Sequence, residues 1–270
     1  SSLILSPHLF LYNRNFAIAS SPTMDSVFSE ASSVESSKLL ILVPQGAEYQ
    51  AVVGAIKNIP HPPVILAIPV GKLAVTKYLY NWRQNNPDFS ASGVILIGLG
   101  GSLSAEFGLG QAVSLESCLN YQNDQADQEQ QSDRILTNWV EEKLGKNIRR
   151  VQGLTSDRII IDASEKQELG KSFNRQVVEM EGWAVLSFFK ELGIPATIIR
   201  VISDEVSQSL PDLSKIYNSQ GKLNAIALSF ALGKKPIAGY QLIVGSLKSL
   251  KILNQITRKL FSSSIKPKRI

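Results

Sequence analysis

The sequence predicts an α/β domain with a twisted, mixed central β-sheet flanked by helices, and extra helices at the C-terminal end. Three observations predict it. Short apolar runs rich in Val, Ile and Leu alternate with stretches of helical character; two of those runs close on glycine; and 270 residues, 44% of them apolar, suffice for one large core. Residues 38–44 (KLLILVP) read as a strand and 47–56 (AEYQAVVGAI) as a helix. The next strand is 64–71 (VILAIPVG), followed by a helix to about Arg83 and a buried strand at 92–101 (SGVILIGLGG). The polar, low-complexity stretch 119–133 (NYQNDQADQEQQSDR) is expected to be an exposed loop insertion. Strand character resumes at 150–161, and 165–174 is helical. Residues 177–193 read as a strand end running into a helix that stops at Gly193, with Pro195 beyond, and 196–205 (ATIIRVISDE) as another buried strand. After Pro211 come two helical segments, about 221–232 and 240–261, separated by GKKPIAG. The chain thus divides into 1–37, a tail or upstream extension with Met24 as a plausible start; 38–212, the α/β domain; and 213–270, a basic helical extension. No internal repeat is present.

Composition narrows the chemistry. A single cysteine, Cys118, excludes a disulfide scaffold and thiolate-rich zinc sites, and two histidines, His8 and His61, exclude a histidine-based metal cluster. No apolar run approaches the roughly 20 residues of a membrane-spanning helix, so a cytoplasmic protein is expected. The net charge of +5 is unevenly spread: residues 213–270 carry 11 Lys or Arg and no Asp or Glu, leaving −6 on the rest. That pattern suggests a surface contact made by the tail. It does not suggest a nucleic-acid-binding core, and no basic-aromatic motif appears. In the last helix Ile243, Leu247, Leu250, Leu253, Ile256 and Leu260 form one apolar stripe, with Lys248, Lys251, Arg258 and Lys259 off it. Such a helix packs on its domain; peripheral membrane contact through 240–261 is the functional alternative.

Chemistry must therefore lean on carboxylates and backbone. Glu48, Glu181 and Asp204 fall at the C-terminal ends of predicted strands, the usual ligand side of an open α/β sheet, each in an apolar setting. A buried carboxyl is costly unless paired or functional, and burial raises its pKa toward the range useful for proton transfer. The plainer role for a carboxylate just after a strand is a helix cap or first-turn charge.

Taken in order, the segments ILVPQGAEYQAVVGAI, IPVGKLAVTKYL, ILIGLGGSLSAEFGLGQAVSLES, VEMEGWAV and GIPATIIRVISD resemble the purine nucleoside phosphorylase and methylthioadenosine/S-adenosylhomocysteine nucleosidase superfamily over about 38–212. VEMEGWAV and the following IRVISD are the most specific pieces. The resemblance implies a nucleoside phosphorylase-like fold and an enzyme that cleaves the N-glycosidic bond of a purine nucleoside. It also implies a homodimer and no cofactor, with phosphate as co-substrate only if cleavage is phosphorolytic. By the same resemblance Asp204 protonates the departing purine and must be held protonated, Glu181 with Met180 clamps the ribose, and Glu48 activates the attacking water. Gly98–Leu99–Gly100–Gly101 resembles the glycine-rich turn beneath the ribose, in which Gly100 and Gly101 let backbone approach a ligand; the alternative is a turn that merely needs positive φ. Where phosphorylases carry a phosphate-gripping Arg and Ser, this chain has Leu96 and Leu99, which favours water, with Gly71 and Lys72 as an alternative anion site.

In the base-binding segment 156–160, Ile159 stands in place of the usual stacking aromatic, the backbone of Ile160 holds adenine, and Asp157 is structural or base-adjacent. Trp183 is not expected to substitute as the stacking residue. Ser203 precedes the acid and completes the substrate-binding set. ISDEVSQSLPDL and the segment 221–250 resemble the hopanoid-associated subgroup, which implies phosphorolysis of a lipid-linked adenine nucleoside as the alternative to hydrolysis of a 5′-modified one. A non-catalytic nucleoside-binding protein of the same fold is the remaining reading.

Overall fold

The computed structural model describes residues 38–212, 234 and 236–262. In chain order the elements are β1 Leu39–Pro44, α1 Ala47–Ile56, β2 Val64–Ile68, α2 Lys72–Asn85, β3 Gly93–Ser102, β4 Ala112–Gln122 and β5 Gln125–Gln131. There follow α3 Arg134–Leu144, β6 Ile148–Ser156, α4 Ala163–Phe173, β7 Val177–Glu179, α5 Gly182–Glu191, β8 Ala196–Asp204 and α6 Pro236–Phe261. The eight strands form one mixed sheet. β1 pairs in parallel with β2 and β3, and β3 in parallel with β8. β8 pairs antiparallel with β4, β4 in parallel with β6, β6 in parallel with β7, and β7 antiparallel with β3. The last five of these strands therefore close on themselves as a ring, from which β1–β2 and β5 extend. The expected α/β class with a mixed central sheet is what the chain adopts.

The apolar runs follow from burial on both faces. In β1, Leu40 and Leu42 enter the core beneath α2 and α5, while Leu39, Ile41 and Val43 enter the core beneath α1, α3 and α6. A strand sandwiched between helical layers needs no polar alternation, so it reads as unbroken hydrophobicity. A smaller third core, with Leu154, Ile160, Leu169 and Val178, lies beneath α4.

Two expectations are corrected. Residues 119–133 are no loop insertion: the end of β4 and the whole of β5 build an antiparallel hairpin there. Its turn residues Asn123 and Asp124 both have positive φ (51° and 59°), the primed turn that matches strand twist. β5 is an edge strand held by backbone pairing, so its polar side chains gave no periodic signal. The 98–101 segment is not a turn either, because it continues β3, and none of its glycines has positive φ. Among the described residues the final helix spans Pro236–Phe261 and so reaches beyond the expected 240–261 at its N-terminal side. The expected helix at 221–232 lies outside the described residues. No described helix is long and apolar enough to cross a membrane.

Candidate active site

Above the carboxyl ends of β1, β3 and β8 lies a cavity of about 840 Å³, within the ~300–1,000 Å³ range of small-molecule sites. Glu48, Met180, Glu181, Ser203, Asp204, Ile159, Ile160, Gly100 and Gly101 all line it. The side chains expected from the sequence are thus brought to one place, although they come from five separate stretches of chain.

Glu48 sits in the first turn of α1, but it does not cap that helix. Its Oε1 accepts the Leu99 N–H at 2.6 Å. Burial, opposed by Arg200 and the Leu99 N–H, pushes its carboxyl up to about 7. Glu181 occupies the N-cap position of α5, yet the capping is done by Glu179, whose Oε2 accepts the N–H groups of Glu181 (3.0 Å) and Gly182 (2.7 Å). Glu181 is thereby left to accept Gly71 N–H at 2.9 Å and Arg200 Nη2 at 2.9 Å. Burial raises its pKa, with Arg200 opposing.

Arg200 is the organising cation and was not expected from the sequence. It is fully buried in β8 and pairs with both Glu179 and Glu181. Burial alone disfavours its charge, but Glu179, Glu181 and Glu48 together hold the guanidinium above its ordinary value. Its Nε and Nη1 have no partner among the described residues. A Cβ on Gly98 would collide with Nη1 of Arg200 and come within 2.7 Å of Glu48 Oε1, so glycine at this point leaves room for both the guanidinium and the carboxylate beside β3. Gly101 is needed for a similar reason: a Cβ there would lie 2.9 Å from Asp204 Oδ2.

Asp204 ends β8, just past a β-bulge at which Ser203 falls out of register between the Gly100–Ile202 and Gly101–Asp204 pairs. Bulges of this kind re-aim side chains beside functional sites. Ser203 Oγ donates to Asp204 Oδ1 at 2.7 Å and also approaches Gly100 O at 3.2 Å. Oδ2 is ion-paired with Lys166, which is completely buried on α4. The sequence predicted a lone carboxyl in an apolar setting; the structure gives it a cation.

Other expectations sort cleanly. Leu96 is buried in β3 away from the cavity, whereas Leu99 lines it. Gly71 and Lys72 form no anion site: the Gly71 N–H is committed to Glu181, and Lys72 Nζ donates to Asn120 and to Gln122 (2.8 Å). Asp157 is exposed and accepts the Asn123 N–H at 3.3 Å, which makes it a support of the hairpin turn. Trp183 does not line the cavity; it packs against the core under α5. Of the residues missed, Arg200 had a legible signal, since a charge in the middle of IIRVISD must find a buried partner. Glu179 had one in the paired acids of VEMEG. Lys166 had none, because α4 is polar along its length and only packing selects its buried face.

Among the described residues no three His, Cys, Asp or Glu side chains converge on a metal position. What the arrangement offers is an acid at one end of the cavity and, at the other, a carboxylate of raised pKa with the Arg200 guanidinium buried beneath it. Such a carboxylate can deprotonate a small nucleophile.

No functionally curated protein matches the chain. Among solved structures, the futalosine hydrolase of Helicobacter pylori is similar at 13% identity and a TM-score of 0.60, covering 82% of this chain and 96% of that one. The 5′-methylthioadenosine/S-adenosylhomocysteine nucleosidase of H. pylori, in complex with a substituted pyrrolidin-3-ol, is similar at 13% identity and a TM-score of 0.61, with 82% and 96% covered. The corresponding nucleosidase of Neisseria meningitidis, in complex with methylthio-immucillin-A, gives 16% identity and a TM-score of 0.57, with 82% and 98% covered. At these identities the likeness establishes a common fold. The family profile of the phosphorylase superfamily matches residues 42–228, a span that takes in Glu48, the Glu179–Glu181 pair, Arg200 and Asp204, and on that match the chain belongs to the phosphorylase superfamily.

Proposed function

We propose that the protein hydrolyses the N-glycosidic bond of a 5′-modified adenine nucleoside, releasing adenine. The observation that carries the choice of water over phosphate is the charge at the acceptor end of the cavity. Glu48, Glu179 and Glu181 share one buried cation, Arg200, and no second cation joins them among the contacts of the described residues. A phosphate dianion entering that excess of negative charge is repelled. A neutral water is not, and the Glu48 carboxylate on the cavity wall suits it as acceptor.

In this reading the base lies against Ile159 and Ile160, and Asp204 gives a proton to N7 as the C1′–N9 bond breaks. Glu181 binds ribosyl hydroxyls; each of its oxygens already accepts one hydrogen bond and keeps a lone pair for another. Its charge interacts more strongly as the sugar becomes cationic, which lowers the barrier and not merely the binding energy. Met180 packs beneath the sugar, and Glu48 takes the proton of the attacking water.

The nature of the 5′ substituent has a second reading. Leu242, Ile243, Leu247 and Leu250 of α6 form an apolar wall of the cavity, and Ile243 and Leu247 are 45% and 63% exposed at its rim. A wall of this kind favours a long apolar 5′ group, as in a lipid-linked nucleoside delivered from a membrane surface that the basic residues of α6 could approach.

The deciding experiment is adenine release from methylthioadenosine, adenosylhomocysteine and an adenosine bearing a long 5′-alkyl chain, each with and without phosphate. Release independent of phosphate is the expected result, and a strict phosphate requirement overturns it. Binding of all three without release would mark a nucleoside-binding protein. Sedimentation of the purified protein tests the expected dimer.

A further inference from the structure

Among the described residues Lys166 is the one fully buried lysine, and the reaction outlined above leaves it without a task. Its Nζ meets three acceptors: Asp204 Oδ2, the Gln208 carbonyl at 2.9 Å and the Glu205 carbonyl at 3.3 Å. An ammonium has three N–H groups, so the charged form is satisfied with none left over. A neutral amine has two N–H groups and one lone pair. Placed on the same atoms, it keeps the two carbonyls as acceptors and takes an O–H from Asp204 on its lone pair. Both protonation states are therefore fully hydrogen-bonded without movement of any heavy atom, a rare provision in a buried site, where each unpaired group is costly.

We propose that Lys166 is the proton reservoir of Asp204. The inference rests on the assignment of Asp204 as the acid that protonates the leaving base. An ion-paired carboxylate has no proton to give, and lysine, unlike arginine, can supply one. In the resting pair the proton is on Nζ. It passes to Asp204, leaving a neutral amine beside a carboxylic acid. As the C1′–N9 bond breaks and its electron pair goes to the base, Asp204 gives that proton to N7, and the base leaves neutral. A proton from solvent, entering through Asp204 on the cavity wall, then restores the ammonium. Ser203 permits the exchange because its hydroxyl has a second acceptor in the Gly100 carbonyl. Lys166 touches no reacting atom in this scheme and is a positioning residue that acts through Asp204.

The test inverts the usual ranking of conservative substitutions. Lys166→Arg keeps the charge but cannot release a proton, whereas Lys166→Met removes the charge and frees Asp204 to take its proton from solvent. Turnover of methylthioadenosine is compared with that of the 4-nitrophenyl glycoside of the same sugar, whose leaving group needs no protonation. Loss of a general acid is worth about 10²–10⁴-fold. Lys166→Arg is therefore expected to lose about 100-fold or more on the adenine nucleoside and little on the nitrophenyl glycoside, with KM little changed, while Lys166→Met retains the better ratio of the two. An unchanged ratio in Lys166→Arg, equal loss on both substrates, or a lower ratio in Lys166→Met than in Lys166→Arg overturns the proposal. The nitrophenyl turnover also reports whether each variant is folded. Wild-type turnover of neither substrate would instead refute the glycosidase reading itself.

Discussion

Glu48 enters from the first turn of α1, is sealed against β3, and has a carboxyl pushed up to about 7, chiefly by loss of hydration and against the pull of Arg200. A base with that value is protonated and idle in acid and ionised above neutrality, so kcat/KM should rise with pH through about 7. Glu48→Gln is expected to lose about 10²–10⁴-fold in kcat and to abolish that acid limb, as a pH–rate series would show. The same residue makes a stability prediction. Because the folded value lies above the ordinary 4.5, the contribution of Glu48 to stability is fully present below about 4.5 and is lost as pH rises through about 7. The loss is on the order of 3 kcal/mol, and Glu48→Gln does not suffer it, so the melting temperature of the variant should gain on wild type between pH 5 and pH 8. Gly98 offers a third test at this scale. Gly98→Ala drives a methyl into the Arg200 guanidinium beneath Glu48, and overpacking of that kind costs about 1–3 kcal/mol. Thermal melts should register the destabilisation and initial rates a loss of turnover.

Legibility differs among the elements for a physical reason. β1, β3 and β8 are buried on both faces, so their sequences advertise them, and the expected bounds fall within a residue or so of those observed. β5 touches the core only through Ala126 and exists because β4 offers it a row of backbone partners, which a single strand's composition cannot reveal. α6 is intermediate. Its apolar stripe was evident, but the stripe serves two ends: Leu253, Ile256 and Leu260 are buried against α1, α3 and β8, while Leu242, Ile243, Leu247 and Leu250 face the cavity. Leu250→Ala tests that division. Truncating an apolar wall contact typically costs a few kcal/mol when its partner is buried, so KM for nucleosides with long apolar 5′ groups should rise about tenfold or more, while that for adenosine stays nearly unchanged.

Across the whole molecule, closure of the five-strand ring draws the ends of β3 and β8 together and sets Gly98, Gly100 and Gly101 over Arg200 and Asp204. α6 seals one side of this body, and Ser249 and Asn254 tie it to β8 and α1 through the Ile202 and Ala51 carbonyls. Deletion of 236–270 removes four buried apolar side chains, Leu253, Ile256, Leu260 and Phe261, together with the burial they give the core beneath them. At about 1.5–3 kcal/mol each, that loss is of the same size as the total stability of a typical domain. The truncated chain should lose its cooperative melt, and this outcome separates a packed helix from a detachable membrane anchor. The α/β class, the strands at the centre of the sheet and the three carboxylates Glu48, Glu181 and Asp204 were determined by sequence alone, because hydrophobic periodicity and charge in an apolar setting are local properties of a chain. Tertiary structure alone decided the partners of those carboxylates. Arg200 beneath Glu48 and Glu181, Glu179 as the cap that leaves Glu181 to the cavity, and Lys166 on Asp204 are brought to them by sheet closure and helix packing. Electrostatic pairing depends on distance through space, which no linear spacing encodes.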